Sequence, residues 1–313
     1  MWFDGSMGDF VSEPRVFREQ KAILGESLVW RAAGGEAGTP DLEGDLLWCD
    51  ITSGILHISP YGGAVSGADD RHIELPAPLA SFHLASIDGE PGFVVSLGDR
   101  VVLVSEAGVI VRELAGIRHA HTGLRLNEGK VDPAGRWVTG SMNLTTGEPD
   151  GAFYSVTSSG EQRVLCGGVG VGNGLEWSAD GSLIYFTDTS VETVYVAPYS
   201  ATGELGEVSV FLNDGPHDGL TRDAAGDFWA ALYGKGVVVK YRANGDEVLR
   251  RELPAPNLTS VAFGGPGRST LFVTSARENL TEQQLREHPL SGSVFALDTD
   301  SRGVPARSFT SNA

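Results

Sequence analysis

One glycine-centred pattern recurs six times along the chain and narrows the folds open to it. A strand-like run, a polar turn ending in glycine and a second strand-like run appear as LEGDLLWCDI around Gly44, SIDGEPGFVVSL around Gly89 and VDPAGRWVTGSM around Gly135. The pattern continues as SADGSLIYFTDT around Gly181, RDAAGDFWAALY around Gly226 and FGGPGRSTLFVTSA around Gly267. Successive anchors lie 45, 46, 46, 45 and 41 residues apart. After Gly181 the period runs through LIYFTDT, TVYVAPYS and EVSVFLND, and after Gly226 through DFWAALY, VVVKYRANG and EVLRRELP, all short and β-rich. Helical patterning is almost absent; LTEQQLREH, Leu280 to His288, alone predicts a short helix, as an excursion from a loop. Four short strands per period of roughly 40–50 residues is the signature of propeller blades. The expected fold is therefore all-β, a six-bladed β-propeller with four antiparallel strands per blade. Residues 16–313 form this one domain, after a weakly ordered lead-in over 1–15. The segment RAAGGEAGTPDL reads as an insertion between the first two strands of blade 1.

Bulk properties limit the partners. The chain has 313 residues, 41% hydrophobic and 20% charged, with a formal net charge of −18. That balance argues against nucleic acid, whose phosphates need clustered Lys and Arg, and against an anionic membrane surface. No apolar run of about 18 residues exists to span a bilayer. The N-terminal MWFDGSMGDFVSEPRVFREQK carries acids and lacks the apolar centre of a signal peptide. Cys49 and Cys166 match no metal or redox spacing and are expected to be reduced core thiols of a cytoplasmic protein. The expected partner is a small molecule, and the expected assembly a monomer or weak homo-oligomer.

The period also locates a candidate site. Asn173 lies eight residues before its anchor Gly181, Asp218 eight before Gly226 and Asn127 eight before Gly135. The same count gives Thr259 and Ser81, and the corresponding strand start of the first blade, LGESLVW, offers Glu26. Equivalent positions in successive blades are related by rotation about the propeller axis. Glu26, Ser81, Asn127, Asn173, Asp218 and Thr259 should therefore ring one mouth of the central channel. A lone Asn or Asp in a loop is ordinarily a turn residue, but recurrence at one rotational position calls for a guest. Carboxylate and amide oxygens without Lys or Arg suit a hard cation such as calcium, magnesium or manganese.

Several segments together, in order, carry a family resemblance: LGESLVW, RLNEGKVDPAGRW, GEPDGAFY, GNGLEWSADG, HDGLTRDAAGDFWAALYGKG, LTSVAFGG and LFVTSA. Over about Ile23 to Phe309 the chain resembles the senescence-marker protein/gluconolactonase family, which includes regucalcin and bacterial sugar lactonases. The resemblance implies a six-bladed propeller, in agreement with the period. It implies one divalent metal held by Glu26, Asn173 and Asp218, calcium first, with zinc, manganese, magnesium or iron as alternatives. It implies hydrolysis of an aldonolactone to the sugar acid, with Arg125, Asn127 and Glu148 holding the substrate hydroxyls. A metal with three protein ligands keeps positions for water and a carbonyl oxygen, whose developing charge it offsets. Asp218 is the candidate to take a proton from the attacking water, with an outer carboxylate as the alternative base.

The chain departs from the family pattern where it has Glu128 for an aspartate, and His217 and Leu28 for prolines. His217 could serve beside the metal or as a proton shuttle, or be a plain loop histidine, and Lys130 could point toward the site. Alternative readings are a metal-dependent phosphotriesterase or other esterase on the same site, or a non-catalytic calcium-binding propeller. His119 and His121 lack an evident third ligand, GVGVGNG lacks the helix a phosphate loop opens, and no G-x-S-x-G is present.

Overall fold

Six antiparallel sheets are arranged about one channel in the computed structural model, which describes residues 9–33, 43–146 and 148–311. After β1 (Arg15–Arg18), the first blade is β2 (Gly25–Ala32), β3 (Gly44–Asp50), β4 (Ile55–Pro60) and β5 (Arg71–Glu74). The second is β6 (Leu79–Ile87), β7 (Glu90–Leu97), β8 (Arg100–Ser105) and β9 (Ile110–Gly116). The third is β10 (Leu124–Val131), β11 (Trp137–Asn143), β12 (Gly151–Val156) and β13 (Gln162–Val169). The fourth is β14 (Gly172–Trp177), β15 (Leu183–Asp188), β16 (Thr193–Pro198) and β17 (Ser209–Leu212). The fifth is β18 (His217–Arg222), β19 (Phe228–Leu232), β20 (Val237–Tyr241) and β21 (Glu247–Glu252). The sixth takes β22 (Leu258–Gly264), β23 (Thr270–Ser275), β24 (Val294–Asp298) and, as its outer strand, β1.

The anchor glycines explain the period. Gly89, Gly135, Gly181 and Gly226 each sit at positive φ, from +73° to +98°, in the tight turn between a blade's first two strands. A side chain is disfavoured in that conformation. Gly44 instead opens β3, because the insertion it follows replaces the tight turn; residues 34–42 of that insertion lie outside the described residues. The expected helix is present as α1 (Glu282–Glu287), started by a capping box between Thr281 and Gln284.

Each blade is apolar on both faces because each face meets a neighbour. Six hydrophobic clusters fill the six junctions: Phe82 and Phe93 of blade 2 pack with Leu47 and Leu56 of blade 1, and Trp177 and Phe186 of blade 4 with Phe153 of blade 3. Trp48, Trp137, Trp177 and Trp229 are among the largest wholly buried side chains. Cys49 is buried in this core, whereas Cys166 on the outer strand β13 is only half-buried, and both are free thiols.

Two features were not expected. The lead-in assigned to 1–15 is bonded to the ring over its described part: β1 begins at Arg15, Val11 bridges Thr299, and the Phe10 amide donates to Asp300. Blade 2 carries a fifth strand, β25 (Phe309–Ser311), which pairs in parallel with Ala85–Ile87 because the nine-residue β6 offers a free inner edge. Just before it, Val304 to Arg307 lie across the far mouth of the channel.

The ring is fastened where the two ends meet. Arg18 on β1 reaches from blade 6 into blade 1, donating from Nε to Asp70 at 2.8 Å and from Nη2 to the Pro60 carbonyl at 2.6 Å. Only 1% of Arg18 is exposed. Removing one partner of a buried ion pair strands the other charge, at a cost of about 3–5 kcal/mol. Arg18→Ala should therefore lower the unfolding free energy by roughly that amount in a urea titration, and a loss under about 1 kcal/mol would mean that the pair does not fasten the seam.

Candidate active site

Successive first strands of the blades neighbour one another around the channel and form its wall. In every blade the register of this strand slips against the second strand: between Glu26 and Val29, Leu79 and Ser81, Leu126 and Gly129, Asn173 and Leu175, His217 and Leu220, and Leu258 and Val261. Such bulges bend a strand and re-aim its side chains. The slip follows the ring residue directly in blades 1 and 4, where the next residue has positive φ, +53° at Ser27 and +24° at Gly174. At Gly174 an added Cβ would stand 2.6 Å from the Asp218 carbonyl oxygen. Upstream, carboxylates pin the chain: Asp50 accepts the amides of Ile23 and Leu24, and Asp188 those of Gly170 and Val171. Glu26 and Asn173 are thus held between a clamped entry and a bulge.

A cavity of about 220 Å³ opens at this mouth. Glu26, Asn127, Asn173 and Asp218 line it, as does Arg125, two residues before Asn127. All five are at most 8% exposed. The other two ring residues do not line it. Ser81 is fully buried without a hydrogen-bond partner, and the Thr259 hydroxyl bonds the Gly25 carbonyl at 2.5 Å, steadying the strand that carries Glu26.

A one-way hydrogen-bond chain crosses the cavity wall. Arg125 Nη1 donates to Asn127 Oδ1 at 2.6 Å, Asn127 Nδ2 to Asn173 Oδ1 at 2.7 Å, and Asn173 Nδ2 to Thr189 Oγ1 at 2.9 Å. The chain ends as Thr189 donates to the His217 carbonyl at 2.6 Å. Each amide is oriented by its neighbour, so Asn173 keeps its oxygen on the side of Asn127.

The acids are crowded. Burial is the main cause that pushes Glu26 up to about 8, with Glu128 adding repulsion and the Ser27 amide and Arg125 opposing. Asp218 lies well above its ordinary value through burial, then through Glu26 and Glu128. Glu26 and Asp218 share a hydrogen bond, which requires a proton on one of them. Two buried carboxylates and an amide oxygen at one mouth fit a hard cation, which would replace that proton.

Other expected residues fall elsewhere. Glu148 is exposed on the β11–β12 connection and does not line the cavity. Glu128 occupies the bulge below the cavity, accepting from the Gly129 amide. Lys130 lies beyond that bulge, and its Nζ donates to Glu176 at 2.8 Å and to the Leu220 carbonyl. The side chain of His217 turns into blade 5, against the Gly215 carbonyl and the Tyr241 hydroxyl, away from the cavity. His121 bonds Asp150, and no ligand cluster among the described residues includes it or His119. The cavity is completed by residues no spacing singled out: Thr189 from blade 4, Tyr233 from blade 5, and Glu278 and Asn279 from the β23–α1 connection. The Tyr233 hydroxyl accepts from Asn257 and Asn279.

A propeller whose acids and amides converge at one mouth has the donor set that a small polar molecule and a cation would need. The family described as SMP-30/Gluconolactonase/LRE-like region matches residues 24–277, and the chain belongs to this family. It is 33% identical to 6-deoxy-6-sulfogluconolactonase of Pseudomonas putida, covering 88% of this chain and 91% of that protein. It is 34% identical to a pentonolactonase of Haloferax volcanii, over 90% and 93%. The crystal structure of the calcium-binding regucalcin from Agrobacterium tumefaciens superposes with a TM-score of 0.82 at 29% identity, covering 94% and 96% of the two chains. Among the described residues no helix is long and apolar enough to cross a membrane.

The raised acids predict a pH signature. Between 4.5 and about 8 the folded protein keeps on Glu26 a proton that the unfolded chain has released. Stability of metal-stripped protein should therefore fall as pH rises through that window, and calcium should restore it most at the upper end. Melting curves from pH 5 to 9 with and without calcium read this; a calcium effect independent of pH would rule out the shared proton.

Proposed function

We propose that the protein is a divalent-cation-dependent lactonase that opens the cyclic ester of a sugar acid to the free hydroxy acid. The observation that carries this reading is the buried Glu26–Asp218 acid pair in one cavity with a wall of arginine, amide and hydroxyl groups. An ester with several hydroxyls matches both parts. The names of the two sugar-lactonase relatives support the same substrate class.

Glu26, Asn173 and Asp218 would hold the cation, calcium first, with magnesium, manganese, zinc or iron as alternatives. When bound, it supplies Lewis-acid polarisation of the ester carbonyl. Asp218 takes the proton of the attacking water as the new carbon–oxygen bond forms. The ring carbon–oxygen bond then breaks, and the proton passes to the departing ring oxygen, leaving a carboxylic acid and a hydroxyl. Arg125 and Asn127 hold substrate hydroxyls from blade 3, while Tyr233 of blade 5 and Glu278 and Asn279 of blade 6 face them. The relay ending at the His217 carbonyl fixes the Asn173 amide, whose oxygen accepts from Asn127 and has a second lone pair that a cation could use. Glu148, exposed in the free protein, takes no part in this reading.

Three measurements test it. A pH-indicator assay across aldonolactones and activated phosphotriesters should show turnover of the lactones, abolished by chelation and restored to different degrees by different cations. Asp218→Asn should lose at least about 100-fold in kcat, the scale for a positioned base, and excess metal should not rescue it, whereas excess metal should partly rescue Asn173→Ala. Equal rescue of both variants would remove Asp218 from the role of base. Arg125→Ala should raise KM more than it lowers kcat, because the hydroxyls it holds are present before and after attack; unchanged kinetics would place Arg125 outside substrate binding.

A further inference from the structure

Blade 1 carries a second group of ligating side chains that the reaction above does not use. His57 on β4 and His72 on β5 are directly paired in the antiparallel register, so they stand on one face of the hairpin. Their rings are 4.7 Å apart and nearly perpendicular. Asp70 is two residues before His72, just ahead of β5. One ligating atom from each of the three lies within 4.8 Å of the others.

Two of the three are fixed in place. Asp70 Oδ1 accepts from Arg18 Nε at 2.8 Å and Oδ2 from the Ser59 hydroxyl at 2.6 Å, which leaves each oxygen a further lone pair. The His57 ring lies flat on Trp48 at 3.7 Å and is 7% exposed. Its Nδ1 is buried without a hydrogen-bond partner, a state buried polar atoms seldom keep. His72 is exposed, so the group runs from core to solvent and an ion can enter without the fold opening.

We propose that His57, Asp70 and His72 form a transition-metal site, separate from the central cavity, for a zinc-class cation such as Zn²⁺, Ni²⁺ or Co²⁺. Two imidazoles and one carboxylate are a borderline donor set, whereas calcium and magnesium prefer oxygen alone. The two sites of the molecule therefore differ in donor set, one of oxygens alone and one with two ring nitrogens. Tetrahedral bonds of about 2.0–2.1 Å bring ligand atoms to about 3.4 Å from one another. His72, the exposed member, makes the small rotation this needs, and water fills the fourth position. Because Arg18 holds Asp70, a bound ion also ties the outer hairpin of blade 1 to the seam between the chain's two ends.

The test uses the full chain, stripped of metal, incubated with ZnCl₂ or CoCl₂ and freed of unbound ion by gel filtration. Wild type should retain one more ion per chain than His72→Ala by elemental analysis, and the variant should bind zinc at this site at least tenfold more weakly. Cobalt should give visible d–d bands of a tetrahedral site in wild type and weaken them in the variant. Zinc should raise the Tm of wild type more than that of the variant, while calcium-supported lactonase activity stays equal in both. His72 is exposed, so the variant keeps its fold. Equal zinc content and affinity in the two proteins, or no zinc bound by either, overturns the site.

Discussion

Closure of the ring is the constraint on which the rest of this molecule depends. A four-stranded blade is apolar on both faces and can be buried only by a blade on each side. Five of the six junctions follow from chain order, but the sixth must join the end of the chain to its beginning. It does so by giving the first strand to the last blade, so that Phe17 packs with Phe272 and Val294. A strand in that position could still peel away. Arg18 resists this by bonding to the main chain and to Asp70 of the neighbouring blade, so the seam is specified by geometry as well as by apolar area.

A closed ring makes one place where six strand starts converge, and the recurrent bulge decides what they present there. A regular strand alternates its side chains between the two adjoining blades. The register slip near each mouth turns side chains toward the axis, where they meet neither core nor open water. Apolar groups would waste that position and isolated charges would be costly there. Glu26 and Asp218 show the intermediate case: burial and mutual repulsion raise both carboxyls above their ordinary range, a crowding that a bound cation would relieve. The amide relay beside them is uncharged, and its direction is set at one end by a guanidinium that can only donate.

Much of this was legible in the sequence, for a physical reason. Four of the anchor glycines sit in turns at positive φ, where a side chain is disfavoured, so the period showed through and with it the blade count and the strand starts. Asn127, Asn173 and Asp218, which line the cavity, follow from the anchor count, because rotational equivalence is a statement about sequence spacing, whereas Glu26 came from the strand start LGESLVW. Ser81 and Thr259 share that spacing but not the outcome, since a hydroxyl is short enough to be absorbed by the wall, as Thr259 is by the Gly25 carbonyl. Lys130 lies beyond the bulge between Leu126 and Gly129 and bonds Glu176, and that bulge is invisible in residue order. Tyr233, Glu278 and Asn279 come from connections that differ from blade to blade and obey no period. The partners of β1 and β25 lie most of a chain length away, beyond any local pattern.

The tail that ends in β25 has a consequence for traffic. Below the acid pair the channel narrows to about 30 Å³ between Glu128, Lys130 and the wall, room for about one water molecule. Farther down, Val304 to Arg307 cross the opposite opening. The cavity at the acid pair, about 220 Å³, is much roomier than the narrowing below it. A sugar acid is too large for that narrowing and would leave the way its lactone came in, past the same arginine and amides. An open-chain acid with all the hydroxyls of its lactone is therefore a rival for that way in, and the rate at which the cavity clears becomes part of the rate at which it can work.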